Sequence, residues 1–372
     1  MNKKNTLFLV LFFSLVIQGC KERAKTTNLA AKFTVSLEES ILKNEKKSNK
    51  TLRDKYLKEV KLIPLQTTEE SMLSEGSIVQ VTSDYIAITN NNALYFFDAE
   101  NGRFLSKVDR IGDGPEEYSC IFSLDIDPMS RKVYIPDFNK KKIFIYNFDG
   151  SYISELKNDS IASIALTPDG YWGYNFPSRG KYEITYYDKE WKPLKFFFHR
   201  EKTPGKSDFI RVGDFERKLD GRCYTWTDEP QNIYEISKDE ISLYLQFKLK
   251  SLLIPEEIRN NLSRESEANR YVNNLYADFT DKVVFLQYFY DKKMYFDVWD
   301  YTKDELLYRN TASSGADFYG VKMNYEGKEL CLWPKYVEGN VVYGLLLQEE
   351  VDEFQLFGGN EGNPVLFKVE CK

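Results

Sequence analysis

From Val60 onward the apolar residues come in short runs, rich in Tyr, Phe, Ile and Val, and each run stops at a group of Asn, Asp, Gly or Lys. Such runs predict strands, and the polar groups between them predict turns. Three segments share one design: "DYIAITNNNALYFFDAENGRFLSKV", "RKVYIPDFNKKKIFIYNFDGSYISEL" and "DGYWGYNFPSRGKYEITYYDKEWKPLKFF". Each has a β-run, a polar turn, an aromatic β-run ending near an acid, a second turn and a further strand. "DGRCYTWTDEPQNIYEISKDEISLYLQF" and "DKVVFLQYFYDKKMYFDVWDYTKDELLY" repeat it more weakly. The acids that align are Asp98, Asp149, Asp188, Glu235 and Asp300, at intervals of 51, 39, 47 and 65 residues. A unit of about 40–50 residues with roughly four strands is the repeat of a β-propeller blade. A pair of packed sheets would account for the strands but not for the repeat.

The long last interval contains "IPEEIRNNLSRESEANRYVNNLYADF", with Pro255 at a helix-start position and apolar residues at Ile258, Leu262, Tyr271, Leu275 and Tyr276. This predicts a small helical insertion over about 254–279. At the C-terminal end "VVYGLLL" (Val341–Leu347) and "VLFKV" (Val365–Val369) supply strands, and "VKLIPLQ" from Val60 supplies one from the N-terminal side. Pairing the first strand with the last would close a ring and remove the open sheet edges. The expected fold is all-β, a six-bladed β-propeller over 59–372.

The N-terminal end reads differently. Lys3 and Lys4 precede "LFLVLFFSLVI" (Leu7–Ile17), too short to span a bilayer but the length of a signal-peptide core, and "IQGC" follows directly. That tetrapeptide resembles the lipobox of bacterial lipoproteins, which implies cleavage before Cys20 and lipid attachment at its sulfur. On this reading 1–19 is a signal peptide and 20–58 a polar tether, with one weakly amphipathic stretch at Leu37–Leu42. The expected location is the cell envelope, with the lipid anchor in the outer membrane and the domain on its periplasmic face or at the cell surface.

Composition narrows the chemistry. Of 372 residues, 42% are hydrophobic and 29% charged, the balance of a globular domain, and the net charge of −6 leaves no electrostatic case for nucleic acid. Cys120, Cys223, Cys331 and Cys371 are too far apart for a paired zinc or redox motif, and their disulfide state is open. The single histidine, His199, excludes a His-pair metal site and any mechanism that needs two imidazoles, and no G-x-S-x-G elbow accompanies it. No metal, cofactor or catalytic residue is assigned, and the inventory does not favour an enzyme.

"RIGDGPEEY" (Arg110–Tyr118) is the densest run of turn-forming and charged residues. It lacks the Lys-Ser/Thr of a phosphate loop and the alternating oxygen ligands of a calcium loop. It therefore reads as a structural corner, in which Gly112 and Gly114 take unusual backbone angles and Glu117 and Tyr118 latch the turn. If the stretch is a site instead, its ligand candidates are Arg110, Asp113, Glu117 and Tyr118.

"VKLIPLQT", "LYFFDAENGRFLSKVDRIGDGPEEY" and "VYIPDFNKKKIFIYNFDG" together resemble the six-bladed β-propeller lipoproteins of Bacteroidetes, which have NHL-like blades, and "NPVLFKV" resembles the way those chains end. Gln66 and Glu116 depart from the pattern, standing where it has Glu and a second Gly. The resemblance implies a propeller on a lipid anchor and carries no settled activity. The expected function is a membrane-anchored binding module for a protein, peptide or glycan. The alternative is an NHL-type lyase or hydrolase with a metal on the propeller axis.

Overall fold

The computed structural model describes residues 30–372 apart from 48–49, 75, 177–178, 201–213, 228, 238–239, 260–263, 314–319, 347, 354–355 and 359–361. Before the first full blade come β1 (Phe33–Val35), α1 (Leu37–Leu42), α2 (Lys50–Tyr56) and β2 (Leu57–Pro64). Blade 1 is β3 (Ser77–Val81), β4 (Tyr85–Asn90), β5 (Ala93–Asp98) and β6 (Phe104–Val108). Blade 2 is β7 (Asp125–Asp127), β8 (Lys132–Asp137), β9 (Lys142–Asn147) and β10 (Tyr152–Lys157). Blade 3 is β11 (Ile161–Thr167), β12 (Gly170–Asn175), β13 (Tyr182–Tyr187) and β14 (Pro193–His199). Blade 4 is β15 (Phe215–Arg217), β16 (Cys223–Trp226), β17 (Asn232–Ile236) and β18 (Ile241–Phe247). After α3 (Glu256–Arg259) and α4 (Glu265–Ala268), blade 5 is β19 (Asn273–Phe279), β20 (Val283–Tyr290), β21 (Lys293–Asp300) and β22 (Glu305–Ser313). A separate hairpin, β23 (Val321–Tyr325) and β24 (Lys328–Leu332), precedes blade 6, built from β25 (Tyr336–Glu338), β26 (Val341–Leu346) and β27 (Val365–Cys371) with β2 on its outer edge. Six antiparallel sheets of this kind are the expected six-bladed propeller.

The ring closes as the terminal strands predict. β2 runs antiparallel to β27 with Val60 opposite Val369 and Ile63 opposite Leu366, so the chain's N-terminal side completes its last sheet. Blades pack face to face through aromatic and branched residues: Phe96 of blade 1 stacks on Phe148 of blade 2 at 4.1 Å, in a cluster that also holds Tyr85, Phe144 and Tyr146.

The recurring acid has a local cause. It sits where the third strand turns into the fourth and accepts backbone amides of that turn: Asp98 from Glu100 (3.0 Å), Asp149 from Ser151 (2.9 Å), Asp188 from Lys192 (2.8 Å) and Asp300 from Thr302 (3.2 Å). Glu235 lies inside β17 instead, and Ser237 does the work there by accepting the amide of Glu240. In blade 1 the same turn ends on Gly102, with φ of +72°; a Cβ there would stand 2.1 Å from the Pro64 carbonyl, so the turn packs directly on the closing strand.

Three expectations need correction. The stretch 20–58 is not a free tether throughout: β1 adds to blade 4 as a fifth strand, parallel to β18 with Phe33 opposite Leu245, and Val35, Leu37 and Leu52 are fully buried. Its apolar residues are so thinly spread among Lys and Glu that composition alone reads as polar. The helical insertion over about 254–279 is shorter than predicted, because Asn273–Phe279 is the inner strand of blade 5. Leu275, Ala277 and Phe279 are buried there while Asn274 and Tyr276 are exposed, a period of two. The glycines of the corner, Gly112 and Gly114, do not take the unusual backbone angles expected of them. Segment 1–19, Cys20 and the tether up to residue 29 lie outside the described residues. Cys120, Cys223, Cys331 and Cys371 are free thiols.

Candidate functional site

The innermost strands β3, β7, β11, β15, β19 and β25 surround the ring axis and enclose a cavity of about 860 Å³. Each blade sends residues into it: Gln80, Asp125, Ala165, Glu216 and Arg217, Asp278 and Tyr336, in that order round the ring. Phe122, Trp226, Tyr276 and Trp333 add aromatic surface, and Phe122 and Tyr276 remain about half exposed (54% and 52%).

One wall is tied by a buried ion pair. Arg217 grips Asp125 with two nitrogens, Nε to Oδ2 and a terminal nitrogen to Oδ1, both at 2.8 Å, and also donates to the Ile126 carbonyl. The Asp125 carboxylate in turn accepts the amides of Ile126 and Leu166, each at 2.7 Å. Blades 2, 3 and 4 thus meet on one carboxylate whose lone pairs are all used, the geometry that makes a buried pair tolerable.

The neighbouring stretch of wall, Glu216 on β15 and Asp278 on β19, is less balanced. Lys218, buried, donates to Glu216 Oε1 and to the Val337 carbonyl at 2.7 Å, with Phe279 O at 3.4 Å. Glu216 Oε2 is covered and has no donor. Burial pushes the Glu216 carboxyl above its ordinary range despite Lys218. Asp278 sits on β19 on the same side of the cavity; burial, with the negative charge of Glu216 adding to it, pushes its carboxyl up to about 7. Next to them Tyr336 donates to Glu338 Oε2 at 2.8 Å, and Glu338 Oε1 accepts the Leu219 amide at 3.0 Å. The cavity therefore combines aromatic surface with two carboxylates that the protein does not fully compensate, a combination typical of ligand sites.

"RIGDGPEEY" lies elsewhere, as the connection from blade 1 to blade 2. Tyr118 N donates to Arg110 O and Gly112 N to Tyr118 O, both at 3.0 Å, while Gly114 N donates to Glu117 Oε2 at 2.7 Å. Tyr118 is fully buried and its hydroxyl donates to Asn92 O at 2.7 Å; burial pushes this phenol up to about 12 and keeps it a donor. Arg110 Nε reaches Gly150 O at 2.9 Å, and Lys140 spans the turn to Gly112 O (2.6 Å) and Glu117 O (2.7 Å). Asp113 is exposed, and none of the four candidates lines the cavity. Glu117 and Tyr118 latch the turn as expected. Gly112 and Gly114, however, do not take left-handed angles. A Cβ on Gly112 would stand 2.1 Å from Glu117 Oε2, and one on Gly114 2.9 Å from it, so a side chain at either position would push the Glu117 latch aside.

His199 ends β14 on the outer edge of blade 3, exposed, with its ring 5.2 Å from that of Tyr182. Among the described residues no three His, Cys, Asp or Glu side chains are grouped to hold a metal ion. Sequence reasoning missed the cavity residues: Asp278 was read as part of a helix, and Asp125, Glu216 and Arg217 lie in strands of three residues. The period-two pattern of 273–279 was the signal available.

The fold is shared with solved structures of low sequence identity. A Bacteroides fragilis protein whose name describes it as exported is 16% identical, over 88% of this chain and 98% of that one, with a TM-score of 0.67. A member of the DUF4221 family from Bacteroides vulgatus is 12% identical, over 84% of this chain and 99% of that one, with a TM-score of 0.51. No curated protein matches the chain. Residues 33–368 match the family described as Domain of unknown function (DUF4934), and the chain belongs to that family.

Proposed function

We propose that the protein is an exported lipoprotein, held at the outer membrane through a lipid on Cys20, whose propeller is a binding module for a protein, peptide or glycan that enters the axial cavity. The observation that carries the binding reading is the cavity itself: about 860 Å³, reached past exposed Phe122 and Tyr276, with incompletely compensated carboxylates on its wall. Rigid strands position these groups in advance, which lowers the ordering cost of binding. A metal-dependent lyase or hydrolase would need ligands converging on the axis, and among the described residues no three His, Cys, Asp or Glu side chains group together.

Two measurements test the proposal. Purified 21–372 applied to peptide and glycan arrays should give a defined set of binders, and Phe122→Ala with Tyr276→Ala should reduce that binding at least tenfold at an unchanged melting temperature. Undiminished binding by the double variant would move the site away from the cavity. In cells, a palmitate analogue should label the full chain and leave Cys20→Ser unlabelled; equal labelling would remove the anchor.

A further inference from the structure

We infer that the protein holds its axial cavity open away from the membrane that anchors it, so that the ligand arrives from the aqueous side and is not a lipid or a protein of the same bilayer. The inference rests on the lipid at Cys20 and on the cavity being the binding site, and it adds the direction from which that site is reached. The two ends of the ring differ. One carries the mouth: Trp226 ends β16, Asp214 stands directly before β15, and Phe122 and Lys335 lie in the connections that lead into β7 and β25. All four line the cavity, and Phe122 and Lys335 are exposed. The other end carries the turns β7–β8, β15–β16 and β17–β18, and there the inner strands of three blades are tied together. Lys218, 3% exposed, donates from blade 4 to the Val337 carbonyl of blade 6 and the Phe279 carbonyl of blade 5.

The chain enters from this second end. β18 is antiparallel to β17, as β16 is, so β18 runs toward the mouth, and β1 runs parallel to β18. Register fixes the level: Phe33 lies opposite Leu245, Leu245 opposite Ile233 and Ile233 opposite Trp226, so the chain reaches the height of the mouth only at Phe33. Two residues earlier Ala31 packs on the cluster that holds Cys223, Ile236 and Ile241, which form the row at the turn end of blade 4. β1 is fastened in this direction, because Lys248 N donates to Val35 O at 2.8 Å and Ser36 donates to Asp304 from its amide (2.7 Å) and its hydroxyl (2.6 Å). Cys20 stands ten residues before Ala30, which gives the intervening chain a reach of about 35 Å at full extension. A bilayer at the mouth would require that chain to run back along blade 4, whose strand β18 of seven residues is about 23 Å long. A bilayer at the turn end requires no reversal.

The test uses the lipidated full chain in phosphatidylcholine vesicles that carry a lipid with a rhodamine headgroup as energy acceptor. A donor dye is clicked to p-azidophenylalanine at one of four exposed positions: Met129 or Asn139, at opposite ends of β8, and Leu219 or Glu229, at opposite ends of β16. Each pair shares one blade, so its two members differ in height rather than in distance from the axis. Met129 and Leu219, at the turn end, should transfer energy at least twofold more efficiently than Asn139 and Glu229. A Gly-Ser insert of thirty residues between Cys20 and Ala30 should bring both ratios toward one at an unchanged melting temperature; undiminished ratios would overturn the short tether as their cause. Equal transfer within each pair, or greater transfer from Asn139 and Glu229, overturns the inference while leaving the anchor and the binding module intact. A chain that takes no lipid at Cys20 removes the anchor and the inference together.

Discussion

A chain that begins at residue 66 should not fold to a cooperative propeller, whereas one that begins at residue 30 should melt with the same midpoint as 21–372. The shorter chain lacks β2 and so leaves one edge of β27 unpaired. It also loses the buried side chains of Leu57, Val60 and Leu65 from blade 6 and its surroundings. At about 1.5–3 kcal/mol for each fully buried aliphatic side chain, these three alone amount to about 5 kcal/mol or more. That is comparable with the whole stability of an ordinary domain. An open edge would also invite association between chains, so light scattering should rise as the melting transition disappears. A chain beginning at residue 57 should fall between the two, because it keeps closure but loses Val35, Leu37 and Leu52. Calorimetry of the three chains decides the matter. A 66–372 chain with the midpoint of 30–372 would mean that β2 does not hold the ring.

Breaking the Asp125–Arg217 pair from one side should be nearly as damaging. Arg217→Ala leaves a carboxylate that is 12% exposed with two backbone amides and no counter-charge, and Asp125→Ala strands a guanidinium that is 14% exposed. Loss of one partner of a buried pair costs about 3–5 kcal/mol, and urea denaturation should show that for each single variant. The double variant Asp125→Leu with Arg217→Met should be less destabilised than the sum of the singles by at least about 2 kcal/mol, since neither charge is then left unpaired. Single variants within about 1 kcal/mol of the parent, or strict additivity, would show that the pair does not fasten blades 2, 3 and 4 together.

Strands, turns and closure were legible in the sequence because their causes are local or repeat. Alternating side chains mark a strand wherever it lies, and an acid that accepts amides two or three residues on marks a turn without reference to the rest of the molecule, as at Asp98 and Asp149. The latch of Glu117 on Gly114 spans three residues and was equally readable. The role of the glycines there was not, because only the folded position of the Glu117 carboxylate shows that a side chain at Gly112 or Gly114 would displace the latch. β1 was invisible because its partner, β18, is about two hundred residues away in the chain, and three residues carry no period of their own. The candidate site belongs wholly to the tertiary structure. Asp125, Glu216 and Asp278 come from blades 2, 4 and 5; Asp125 is paired by Arg217 of blade 4, and Glu216 raises Asp278 of blade 5. Desolvation and uncompensated charge are properties of a closed wall. Sequence alone determined that this chain would form a ring of blades; the closing of that ring decided which of its 57 acids would face a cavity instead of water.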